Sequence, residues 1–248
     1  VSDALRAQTV SMRGAGDDDI EAYLAEPLDG SPAGGVVVIH HMPGYDESTK
    51  EITRRFAAHG YLAVCPNLYS REAPGASPGD AAALARARGG VPDDRLVGDV
   101  DAAVRLLRSS PSSNGKVAVI GFCSGGRQAF LAACSLDLDA AVDCYGAYVV
   151  ATPPEDSVLR GVRPIVDLAG RLSCPLLGLF GDDDRMPSPA EVAALAAALT
   201  EHGRTFEFHS FPAAGHAFLA TDRDAYRPAA ARAAWPRIWT FLRAHLTG

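Results

Sequence analysis

Lys116-Val117-Ala118-Val119-Ile120-Gly121-Phe122-Cys123-Ser124-Gly125-Gly126 is the stretch that decides the fold. Its first five residues are a short apolar run, and from Arg127 to Cys134 the sequence reads as a helix. A strand passing into a helix through so tight a turn belongs to an α/β sheet, and the turn falls at the carboxyl end of the strand, where such sheets hold their sites. The apex residue of the turn must tolerate strain, and small residues must flank it. With Cys123 at the apex the flanks are Gly121 and Gly125; with Ser124 they are Phe122 and Gly126, and a phenylalanine would crowd the turn. Cys123 is therefore the better candidate nucleophile. A helix start favours the thiolate. The Ser124 N–H would point at the same spot as an oxyanion donor. The competing reading is a glycine-rich strand–helix turn of the dinucleotide-binding kind, with Cys123 a bystander.

Similar runs recur on both sides of this turn. Residues 36–39, 61–64, 140–144 and 176–180 read as strands buried on both faces, which is the pattern of a parallel sheet covered by helices. Residues 205–211 give a further strand, with Phe206 and Phe208 on one face and Glu207 and His209 on the other. Ser48 and Glu51 form a capping-box pattern, and Ser188-Pro189-Ala190-Glu191 forms a stronger one. Helical spacing marks Val97, Val100, Val104 and Leu107, and again Trp235, Ile238, Phe241 and Leu242. Residues 73–92 look loop-like, and residues 151–173 show no clear period. The expectation is a doubly wound α/β fold with a mostly parallel sheet and helices on both faces. It forms a single domain over residues 1–248, with about the first 20 residues peripheral.

Composition narrows the function. Hydrophobic residues make up 48% and charged residues 21%, as in ordinary globular chains. A net charge of −7 without a basic stripe speaks against a nucleic-acid partner. No run approaches the length needed to span a bilayer, and residues 1–20 contain no apolar signal core. The five cysteines are odd in number and irregular in spacing, so neither disulfides nor a zinc site is expected. Reduced thiols in a cytoplasm are the expectation, with no cofactor, no metal and no membrane partner.

A nucleophile on this turn needs a base, and the base needs an acid. The strand 176–180 ends in Gly181-Asp182-Asp183-Asp184, and the strand 205–211 ends in a loop carrying Gly215-His216-Ala217-Phe218. Acid before histidine, each beyond a strand end, is the chain order the chemistry requires on such a sheet. His216 is the base; which of the three aspartates partners it stays open on spacing alone. His40 and His41 also sit at a strand end, without a third ligand that would suggest a metal.

At these residues the chain resembles the dienelactone hydrolase (carboxymethylenebutenolidase) family of the α/β-hydrolase superfamily, from about Ile20 onward. Gly121-Phe122-Cys123-Ser124-Gly125-Gly126 is similar to the family's G-x-C-x-G-G elbow. Gly181-Asp182-Asp183-Asp184 is similar to its G-x-x-D, a likeness that selects Asp184 as the acid. Cys65-Pro66-Asn67-Leu68-Tyr69-Ser70-Arg71 resembles its C-P-D-L-Y-x-R segment, which implies that Arg71 grips a substrate carboxylate. Two departures stand out. Where the family carries a glutamate that pairs with the resting cysteine, His41 or Met42 falls; the Met42 N–H still serves as a second oxyanion donor. Ala220 occupies the place of a second carboxylate-binding arginine, for which Arg223 or Arg227 are the available substitutes.

The resemblance implies a carboxylic ester hydrolase acting on a small, carboxylate-bearing ester or lactone through a cysteine acyl-enzyme, as a monomer or weak homodimer. Cys123, Asp184 and His216 would be catalytic, with Met42, Ser124, Arg71 and His41 lining the substrate. The alternatives are a general carboxylesterase or thioesterase and, further off, a redox-sensing relative without catalysis.

Overall fold

The computed structural model describes residues 4–157, 159 and 161–247. The outermost positions of the expected domain, and residues 158 and 160 of the aperiodic stretch, lie outside the described residues. Among the described residues eight strands join one sheet in the order β1-β2-β4-β3-β5-β6-β7-β8. Their spans are β1 Leu5–Arg13, β2 Asp19–Pro27, β3 Ala33–Ile39, β4 Leu62–Pro66, β5 Ser113–Phe122, β6 Ala140–Cys144, β7 Leu176–Gly181 and β8 Phe206–Phe211. Pairing is parallel from β4 through β8, and antiparallel only where β2 joins β1 and β4.

Every residue of β3, β4, β6 and β7 is buried, because both faces of the sheet are covered. Among the described residues six α-helices do the covering: α1 Glu47–Ala58, α2 Pro78–Ala87, α3 Asp93–Arg108, α4 Ser124–Ser135, α5 Pro189–Glu201 and α6 Pro228–Leu246. Alternate residues of β3 face opposite ways. Val37 and Ile39 pack in one core with Val100 and Leu107 of α3, Phe130 of α4 and Leu195 of α5. Val36 and Val38 pack in the other with Phe56 of α1 and Ile238 and Leu242 of α6. Burying each of these large side chains contributes about 1.5–3 kcal/mol.

Three local readings change. Residues 5–13, expected to be peripheral, form the edge strand of the sheet. Within 73–92 lies α2, whose start is set by Ser77, accepting from the Asp80 N–H, and by Pro78 in the first turn. The first helix is capped by Asp46, which accepts from the Thr49 N–H, and not by Ser48. The Ser188–Glu191 capping box is formed on both sides. Residues 151–173 stay irregular except for a 3-10 segment, Val166–Arg171.

The chain runs from β3 to β4 on one side, then returns to place β5 on the other side of β3. The loops after β3 and β5 therefore open toward each other at the point where winding reverses, the place where such sheets bind ligands.

Candidate active site

Cys123 stands between β5 and α4 with φ 58° and ψ −121°, the strained apex that the sequence assigned to it. A Cβ at Gly121 would lie 1.8 Å from the Gly125 carbonyl oxygen, and one at Gly125 would lie 2.5 Å from that of Ile39. Neither position accepts a side chain, so glycine is what lets β5 turn into α4 beside β3. The Cys123 N–H donates to the Cys144 carbonyl at the end of β6, and the Cys123 carbonyl accepts from Gly126 N–H. The apex is thus held from both sides. Ser124 opens α4, where N–H groups lack intrahelical partners.

The loops after β7 and β8 are laced together: Asp182 N–H donates to the Phe211 carbonyl and Asp183 N–H to the Ala214 carbonyl. This brings Asp184 to His216, with 2.9 Å between Oδ2 and Nδ1, while Oδ1 accepts from the Met186 N–H. Asp182 and Asp183 are exposed, whereas Asp184 is buried. Burial works against an imidazolium at His216, but hydrogen bonding to Asp184 and the proximity of Cys123 outweigh it and hold its pKa up at about 10. Tyr145, buried beneath, meets the imidazole edge-on with ring centroids 5.3 Å apart.

Cys123, Ser124, His216 and Met42 line one cleft of about 250 Å³. Larger hollows near Trp239 and near Asp222, of 370 and 490 Å³, touch none of these four residues. Tyr69, Val91, Ala147, Tyr148, Leu159, Val162 and Met186 supply its largely apolar walls, with Arg127 and Asp93 as a charged pair. The sequence reading missed most of these. Tyr69 had a signal in the sequence, since it lies in the Cys65–Arg71 segment that resembles the family's; its hydroxyl donates to the Met42 carbonyl at 3.1 Å and steadies that loop.

Two expected substrate contacts lie elsewhere. Arg71 does not line the cleft: its guanidinium is engaged by Asp99 at 2.8 and 3.0 Å, by Asp18 at 2.7 Å and by the Ala15 carbonyl at 3.0 Å. These bonds tie the turn after β1 to α3, and without them the fully buried Asp99 carboxylate would keep the Ala15 N–H, at 2.7 Å, and lose its cation. His41 does not border the cleft either; its Nε2 lies 2.7 Å from Asp46 Oδ2. His40 is buried and neutral: Leu68 N–H donates to its Nε2, so Nδ1 carries the proton donated to the His41 carbonyl. Burial, more than any neighbour, lowers its pKa to about 4. Arg223 lies 3.8 Å from Asp222, and Arg227 donates to the Asp224 and Tyr226 carbonyls. Among the described residues no cluster of side chains fit to hold a metal ion is found, and no helix is long and apolar enough to cross a membrane.

A strained cysteine elbow at the switch point of a doubly wound sheet, facing a histidine from a later strand end, marks an α/β-hydrolase. The class narrows on comparison. The sequence model of the dienelactone hydrolase family matches residues 20–246, and the chain belongs to that family, a group of carboxylic ester hydrolases. A relative from Methylorubrum extorquens named "Putative carboxymethylenebutenolidase" is 34% identical over 92% of this chain and 77% of its own. A Bradyrhizobium relative, "Probable 2-oxo-3-(5-oxofuran-2-ylidene)propanoate lactonase", is 30% identical over 92% of this chain and 90% of its own. The crystal structure of a "Putative Dienelactone Hydrolase" from Klebsiella pneumoniae superposes with a TM-score of 0.84 at 29% identity, covering 96% of this chain and 98% of that one.

Proposed function

We propose that the protein hydrolyses a small ester or lactone through a thioester on Cys123. What carries the reading is the convergence of the strained Cys123 and the Asp184-bound His216 on one cleft. The Cys123 thiolate attacks the carbonyl carbon, and the oxyanion is received by the N–H groups of Ser124 and Met42. As the ester C–O bond breaks, the imidazolium of His216 gives its proton to the departing alkoxide. Neutral His216 then takes a proton from water, the hydroxide attacks the thioester, and the thiolate leaves with the ion pair restored. Asp184 keeps the imidazole oriented and supports its charge.

The range of esters is the second question. A carboxylate-bearing lactone would need a cation in the cleft, and the guanidinium of Arg71 is already matched by Asp99 and Asp18. That observation favours a carboxylesterase or thioesterase range over the lactone range that the family name suggests. The test is a rapid-quench measurement of the acyl adduct on the Cys123 peptide, with an enol-lactone carboxylate and a neutral aryl ester compared. Cys123→Ala is expected to abolish turnover and adduct for both. Full activity in that variant would overturn the proposal.

A further inference from the structure

Arg127 stands one helical turn beyond Cys123 on α4, and its side chain is almost wholly buried although it borders the cleft. Its two outer nitrogens meet both carboxylate oxygens of Asp93 at 2.8 Å each, and Nη2 also donates to the Arg163 carbonyl at 2.9 Å. Nε is buried and unpartnered among the described residues, so the guanidinium is held by its outer nitrogens alone. Both groups it grips belong to backbone that no sheet fixes. Asp93 opens α3 after the segment Gly90-Val91-Pro92; Arg163 lies in the irregular stretch that also supplies Leu159 and Val162. Val91, Leu159 and Val162 all border the cleft. A planar fork is suited to fastening two segments at once, because its donors are fixed relative to each other.

We propose that Arg127 is a specificity-determining positioning residue. By fastening the segments before α3 and around Arg163 to the helix that carries the nucleophile, it sets the width of an apolar subsite. That subsite takes an uncharged hydrocarbon group of the ester, the charge of Arg127 being already matched by Asp93. The inference rests on the ester-hydrolase reading above. Arg127 touches no reacting atom in this scheme. Its loss changes which esters fit and leaves the thiol's reactivity alone.

The experiment is a chain-length series of p-nitrophenyl esters, acetate to hexanoate, with wild type, Arg127→Met and Asp93→Asn. Alkylation of Cys123 by iodoacetamide is measured alongside. Both variants are expected to raise KM for butyrate and hexanoate by roughly tenfold, with acetate much less affected and kcat within about threefold. Alkylation should be unchanged. Arg127→Lys, which keeps the charge and loses the fork, should fall between. If Arg127→Met does not fold, Asp93→Asn reads the same pairing, since it keeps the shape and removes the charge. An unchanged chain-length profile would overturn the inference, and so would an equal loss of kcat on all esters accompanied by slower alkylation. Activity surviving in Cys123→Ala would instead remove the hydrolase reading beneath it, so the two failures are distinguishable.

Discussion

Asp184 Oδ2 lies 2.9 Å from His216 Nδ1, and the same carboxylate accepts the Met186 N–H through Oδ1. The acid is therefore fixed by its own loop before it meets the histidine. Nδ1 is committed to Asp184, which leaves Nε2 for proton transfer in the proposed reaction.

Replacing Asp184 by Asn keeps the shape and removes the charge that supports the imidazolium. kcat/KM for an aryl ester should fall by about a hundredfold or more. In His216→Ala, alkylation of Cys123 at pH 7 should slow, because the cation beside the sulfur is gone. Unaltered alkylation in that variant would count against an ion-paired thiol.

The raised pKa of His216 also has a thermodynamic sign. A histidine lifted from 6.5 to about 10 adds stability in full below about 6.5, and that share is lost as pH rises through 10. Chemical denaturation of wild type and His216→Ala between pH 6 and 10 should give curves that converge at the alkaline end. Curves that stay parallel over this window would refute the assignment.

Arg71 is expected to matter for stability and not for recognition of carboxylates. Arg71→Ala leaves Asp99 buried without its partner, a loss of about 3–5 kcal/mol for a broken buried pair. The KM ratio between a carboxylated lactone and a neutral ester should not change beyond about twofold. A selective rise in KM for the carboxylated substrate would restore the clamp.

The elbow was legible from sequence because its sterics are local. Gly121 and Gly125 are demanded by backbone contacts within the turn and with the adjacent β3. The covered strands were legible for a related reason, since burial on both faces leaves continuous apolar runs such as 36–39. Arg71 and His41 were not legible in the same way. Their engagement depends on Asp99, 28 positions from Arg71, and on Asp46, which also caps α1. Asp46 could have been read as a cap from its place before Glu47, but its second bond to His41 exists only in three dimensions. The edge strand β1 escaped notice because most of its residues are exposed and the alternation breaks at Gln8-Thr9, both exposed; its order comes from nine paired residues on β2.

Asp46 gives a further prediction. Burial opposes its charge, yet hydrogen bonds from His41 and Thr49 hold its carboxyl well below the usual range. Asp46→Ala removes a helix cap, costing about 1 kcal/mol, and also releases the His41 end of the loop that carries Met42. Since the Met42 amide is a proposed oxyanion donor, kcat should drop by roughly tenfold with KM little changed. Thr49→Val, which keeps the cap and the His41 bond and removes the hydroxyl's contacts with the same carboxylate at 2.9 Å and with the Gly44 carbonyl at 3.4 Å, should leave kcat near wild type. Equal losses in both variants would point to helix destabilisation alone.

Asp143 supplies the last test, because it is a buried acid that the proposed chemistry does not use. It is the last residue but one of β6, with Oδ1 accepting the Gly146 N–H at 2.7 Å and Oδ2 buried without a partner among the described residues. Burial raises its pKa to about 7, against the opposing pull of the Gly146 N–H and the positive His216. An aspartate that binds its proton more tightly folded than unfolded costs stability as pH rises. The penalty begins near the unfolded value of 3.8 and is complete above about 7. Its size is at most roughly 4 kcal/mol by the one-unit conversion. Asp143→Asn keeps an acceptor for Gly146 and carries no proton to lose. Its stability relative to wild type should therefore climb between pH 4 and pH 7 and then level off. In a His216→Ala background the climb should shift to higher pH, because the cation that lowers the Asp143 pKa is missing. A stability difference independent of pH over this range would show that Asp143 stays ionised, and its second oxygen would then need a partner.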